Sequence, residues 1–330
     1  MSPSRLGRAL AALALAAALA SPPGRAEAEP VPITISATRI DRFGPATPIG
    51  ARYGELVFLG GLQLRSDDPN FGGLSGLRLS ADGARFTAIS DRGFWFRGAV
   101  EREGPTPTGL TRVEREAIEG PSGALPGRRG SDTESLEIEG RSAWVASERI
   151  NQVLRFALDA NGRAGAGRAI SMPKEARSAP FNEGFEAIAL TEGGALMMIG
   201  EKFLDARGDN RSFVVGARKP FSFSVKRTDD FSPTDAARLP GGGFVLLERR
   251  YVPPLSLSIR LRRLTEADIR PGAVVDGPVL MEANLIQTID NFEGVSAHRS
   301  PSGATVITLV SDDNFSRLQR TLLMEFQLPD

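Results

Sequence analysis

One short pattern occurs five times in the sequence, and that repetition limits what the chain can fold into more than any other feature. The plainest copy is 133–149, TESLEIEGRSAWVASER. Glu134 opens an alternating run that carries Leu136 and Ile138 on its own face. A turn follows at Glu139-Gly140-Arg141, and a second extended run ends on Glu148-Arg149. Period-two alternation on both sides of a glycine turn predicts a β-hairpin. Corresponding hairpins begin at Ser75, Glu186, Asp235 and Glu293 and end at Asp91-Arg92, Glu201-Lys202, Glu248-Arg249 and Asp312-Asp313.

The acids that end the second strands fall at 91, 148, 201, 248 and 312. A spacing of roughly 50 residues leaves room for two outer strands per repeat, which predicts an all-β propeller. Residues 54–64 are expected to pair with 321–328 and close the ring as a sixth blade, leaving no open sheet edge. The expected division is therefore an irregular segment over 29–52 and one propeller domain over 53–330.

In each hairpin the first residue of one strand lies beside the last of the other. Glu134 is thus placed near Glu148, Glu186 near Glu201, Asp235 near Glu248, and Glu293 near Asp312, with Ser75 beside Asp91. In a propeller these ends share one mouth, so the carboxylates must raise one another's pKa or take up cations. Oxygen donors without thiolates select Ca²⁺ or Mg²⁺. Glu134, Glu148, Glu186, Glu201 and Glu293 are the candidate ligands. Arg92, Arg149, Lys202 and Arg249 are the candidate anion-binding groups. Alternatively, these acids and bases form ion pairs that only lock the blades.

Other chemistries fit less well. The chain has no cysteine and one histidine, which removes disulfides, thiolate sites and histidine phosphatases. No G-x-S-x-G elbow or phosphate-binding glycine loop is present. His298 lies two residues from Ser296 and reads as a surface strand residue rather than half of a nucleophilic pair. Phe94-Trp95-Phe96 reads as packing between blades. Zero formal net charge gives no basic field for nucleic acid. The first 28 residues, with Arg5, Arg8, an apolar run over 9–20 and Ala26-Glu27-Ala28, form a signal-peptide pattern. No later run is long and apolar enough to span a membrane. A periplasmic or secreted monomer acting on a small anionic substrate is the expectation.

The stretches FGGLSGL (71–77), DTESLEI (132–138), NEGFEAIAL (182–190), SPTDAARLPGGGFVLLERR (232–250) and DNFEGVSA (290–297) resemble the phytase-like family, named for an esterase-like activity of phytase. The resemblance runs over about 53–328. It implies a propeller similar to that of the β-propeller phytases, with acids holding Ca²⁺ and Arg/Lys holding phosphate. Dense Asp-rich metal motifs are absent, and Asp67-Asp68-Pro69 is only a short echo of them. The resemblance therefore points to a metal-dependent phosphoester or ester hydrolase. A non-catalytic binding propeller for a ligand or protein is the alternative.

Overall fold

The computed structural model describes residues 29–127, 131–148, 150–180, 184–253 and 256–329. The signal-peptide pattern and Arg149 lie outside these residues. Strands dominate, and the described residues contain no α-helix, only two short 3₁₀ turns.

Five blades stand in a ring, antiparallel except at the edge of blade 3, where Val274–Val275 runs parallel to Phe221–Val225. Blade 1 runs outward from Leu74–Leu79 through Arg85–Ser90 and Phe94–Glu103 to Thr106–Ala117. Blade 2 starts at Thr133–Glu139, blade 3 at Phe185–Leu190, blade 4 at Ser232–Arg238 and blade 5 at Asn291–Arg299. These five inner strands contact one another in sequence, and the last meets the first. Each blade buries both faces, so its strands read as continuous apolar runs such as Phe244-Val245-Leu246-Leu247. Phe244 and Leu246 pack toward blade 3, while Val245 and Leu247 pack toward blade 5. Five such cores fill the five gaps. Trp95 fills the gap between blades 1 and 2, edge-on to Phe156 at 5.3 Å.

The described residues form five blades and not the expected six. Leu56–Arg65 does pair with Thr321–Leu328, Leu64 opposite Thr321, but this completes blade 5. Among the described residues only Thr321–Leu328 follows the last hairpin, so blade 5 has three strands of its own and borrows the fourth from upstream. The segment 29–52, expected to be irregular apart from a strand over 33–38, holds several short strands. Ser36–Ile40 extends blade 5 beyond Leu56–Arg65, and Val31–Ile33 extends blade 1. Both outer strands left unpaired backbone groups at a sheet edge, which this segment covers.

At the waist of the ring the axis is filled by one side chain. The Arg78 guanidinium donates to the carbonyls of Leu77, Val295, Ile188 and Ala236 at 2.7–3.0 Å. It also reaches Asp235 at 3.1 Å and Glu137 at 3.4 Å. One planar group thus ties all five inner strands. The Asp235 carboxylate takes further hydrogen bonds from Ser135 Oγ and from the Ala236 and Val295 N–H groups. Burial disfavours charge on Arg78, yet Asp235 and Glu137 outweigh it and hold the guanidinium charged.

Candidate metal centre at the mouth

The inner strands all start at the same end, and each carries a one-residue irregularity at the same place. Pairing skips Ser75, Glu134, Glu186, Thr234 and Glu293 in blades 1 to 5. A bulged residue drops out of the ladder and its side chain is re-aimed. The second strands deliver Asp91, Glu148 and Glu201 just beyond the last pairs, and Arg249 and Asp312 within them, opposite Ser232 and Asn291. The mouth therefore gathers Asp91, Glu134, Glu148, Glu186, Glu201, Glu293 and Asp312 around one arginine, with Asp132 beside them.

Blade 4 departs from the expectation by one residue. Asp235 lies past the bulge, opposite Leu247, and Glu248 lies opposite Pro233. Since successive strand residues face opposite ways, this offset removes both acids from the mouth. Asp235 joins Arg78 in the axis, and Glu248 is held by Arg260 and Arg262 at 2.6–2.9 Å. Thr234 and Arg249 occupy the places where the other blades carry acids.

Two sets of three carboxylates converge in this mouth: Asp132, Glu134 and Glu148, and Glu148, Glu186 and Glu201. Within each set one oxygen from every residue lies within 4.8 Å of the others. Glu148 belongs to both. It is buried, and its Oε1 has no hydrogen-bond partner. The all-oxygen donor set suits a hard cation, and an orphaned carboxylate oxygen aimed among other carboxylates is the position such a cation would fill. Burial, and after it the Glu201 and Asp132 charges, push the Glu148 carboxyl up to about 7. Burial and mutual repulsion raise Glu134 and Glu186 well above the usual carboxylate range. Asp91 is pushed to about 6 and Asp312 to about 8, in both cases chiefly by burial. Asp91 sits so close to the chain that a side chain at Gly73, where φ is +59°, would meet its Oδ1 at 2.1 Å.

The predicted residues have different fates. Glu134 falls in the first of the two sets and Glu186 and Glu201 in the second, with Glu148 in both. Glu293 instead pairs with Arg249, which also bonds Asn291; the neighbouring Glu186 and Glu201 charges help hold that guanidinium charged. Lys202 Nζ lies 3.0 Å from Glu201 at the rim. Arg92 stacks over the Phe315 ring at 3.1 Å. Asp132 was not among the predicted ligands; its only signal was its place one residue before Thr133. His298 is buried rather than at the surface, packed against the turn at Gly83. Ser296 accepts a hydrogen bond from the Leu79 N–H, so the two side chains serve separate neighbours. Ile150, Leu204, Val252 and Leu318 are exposed. No helix among the described residues is long and apolar enough to cross a membrane.

Among solved structures, the chain is similar to the PQQ-bound aldose sugar dehydrogenase of Streptomyces coelicolor, at 13% identity with a TM-score of 0.43, covering 89% of this chain and 98% of that one. It is also similar to a glucose dehydrogenase, at 12% identity and TM-score 0.43, covering 77% and 96%. A third likeness, to U3-55K, has 8% identity and TM-score 0.38, covering 77% and 96%. At these values none of the three bears on activity. No curated protein matches by sequence. The phytase-like family profile, described as esterase-like activity of phytase, matches residues 69–315, and the chain belongs to that family.

Proposed function

We propose that the mouth is a divalent-cation site, most suited to Ca²⁺, at which an anionic phosphoester or other ester is hydrolysed. The observation that carries this reading is the pair of carboxylate triplets sharing Glu148, one of whose oxygens is buried without a partner. Asp132, Glu134 and Glu148 would hold a cation on one side, and Glu148, Glu186 and Glu201 on the other. A hard cation in that place supplies Lewis acidity and an activated water. Arg249, fixed by Glu293 and Asn291, presents a guanidinium beside the acids and would orient the anionic end of the substrate. Lys202 and Arg92 stand further out on the rim, and Arg149, by its place in the sequence after Glu148, is a further candidate for the same role. Export through the N-terminal 28 residues is part of the same reading, as is a monomer.

The test is a panel of aryl esters and phosphate monoesters offered to metal-stripped protein with and without calcium. Calcium-dependent turnover, lost in Glu148→Gln, is expected. Calcium binding without turnover on the whole panel would leave a binding propeller instead. Failure to bind any divalent cation would overturn the site.

A further inference from the structure

The opposite end of the axis, where the hairpin turns lie, holds a cleft of about 1030 Å³ between blades 1 and 2. Its charge is of the other sign. Arg85, Arg112 and Arg238 line it, and among the described residues none of their guanidinium groups makes a hydrogen bond or ion pair. The cleft's acids are largely occupied. Glu137 holds Arg78, Asp159 accepts the N–H groups of its own loop, and Glu114 faces Arg163 at 3.7 Å.

Two further features point into the same space. Arg97 stacks on Trp95 at 4.9 Å and spends Nη1 on Glu116, but its Nε and Nη2 have no hydrogen-bond partner. Arg112 sits at a bulge in the outer strand of blade 1, between Thr111 and Glu114, with φ at +51°. A non-glycine residue held in that region is strained, and strain of this kind gathers at ligand sites. The bulge turns an arginine toward a cleft that already holds unpaired donors.

We infer that this cleft binds a small multivalent anion, carrying phosphate or carboxylate groups, through Arg97, Arg112 and Arg238. Guanidinium forks match both anions, and partial enclosure strengthens each charge-assisted bond. Arg85 at the edge adds attraction without a fixed contact. This site is separate from the mouth and needs no metal.

The experiment is calorimetric titration of the full chain, stripped of metal on a chelating resin, with pyrophosphate and with citrate at low ionic strength. Saturable binding of at least one is expected, weakening as salt is added. A preference between them distinguishes phosphate from carboxylate recognition. Arg112→Gln and Arg238→Gln, both partly solvent-facing and expected to fold, should each weaken binding about tenfold, the effect of one hydrogen bond to a charged group. Arg249→Gln at the mouth should leave it unchanged. The inference fails if neither anion binds. It also fails if both cleft variants, with melting temperatures like the parent's, bind as well as the parent. Loss of binding in Arg249→Gln alone would place the anion at the mouth and overturn the cleft site, while calcium-dependent hydrolysis could still stand.

Discussion

At the waist of the ring Arg78 meets Asp235 and Glu137, and every oxygen of Asp235 has two donors. At the mouth, one layer along the same axis, seven hairpin carboxylates and Asp132 face Arg249, with Lys202 and Arg92 at the edge. Both layers are built from the same five inner strands, so architecture does not separate them. Charge balance does. A buried charge with a full set of partners holds a fold in register; a buried carboxyl left over either keeps its proton or takes up a cation. Blade 4 makes the same contrast within a single hairpin: Glu248 is satisfied by two arginines, whereas its counterparts in the ring are not.

The sharpest way to test the waist is Arg78→Met. It strands Asp235, Glu137 and four carbonyls in the interior. Losing one partner of a buried pair costs about 3–5 kcal/mol, which denaturant unfolding should read directly. A loss below about 1 kcal/mol would mean that the waist is not the lock.

The mouth should answer to pH. In metal-free protein Asp91, Glu148 and Asp312 have folded-state values near 6, 7 and 8, against roughly 4 in the unfolded chain. The folded state holds these protons longer. Stability is therefore fully present below about pH 4 and is lost as pH rises through the folded values, up to about pH 8. The effect should total a few kcal/mol at most, because the groups titrate together. Calcium requires the ionised forms, so about 1 mM calcium should flatten or reverse the slope. Melting temperatures measured from pH 5 to 8 with and without calcium give the answer; identical profiles would break the contrast.

Glu148→Gln removes the residue common to both triplets. Calcium affinity should fall about tenfold or more, since a hard cation loses a charged ligand, and the metal-free pH slope should shallow. Glu248→Gln, by contrast, should destabilise the fold and leave calcium affinity unchanged. The smallest effect belongs to His298→Gln. Its Nδ1 has no partner to lose, so stability should change by less than about 1 kcal/mol and ester cleavage not at all.

The hairpins were legible because their markers are local. Gly83, Gly140, Gly194 and Gly303 sit at positive φ in the turns, and the alternation on either side names the buried faces. The blade count was not legible, because borrowing Leu56–Arg65 depends on how many strands remain after the last hairpin, and a strand's partner leaves no mark on its own residues. The bulges were equally silent. Any residue can occupy one, so Asp235 and Glu248 looked equivalent to the acids of the other blades until the pairing showed them displaced by one. Arg78 was hidden differently: an arginine between Leu77 and Leu79 reads as a solvent-facing position unless the ring around it is known. The four acids from blades 2 and 3 were found because in both hairpins the leading acid is itself the bulged residue and the second acid comes directly after the last pair.

The seam in blade 5 has a consequence for the order of events in the cell. Leu56–Arg65 precedes the four inner hairpins of blades 1 to 4 and its partner Thr321–Leu328 follows all five. Blades can form one at a time as the chain lengthens, but the circle stays open until Thr321–Leu328 has been made. Until then the seam strand is paired only on the edge that Ser36–Ile40 covers, and its other edge must be kept from the wrong partner.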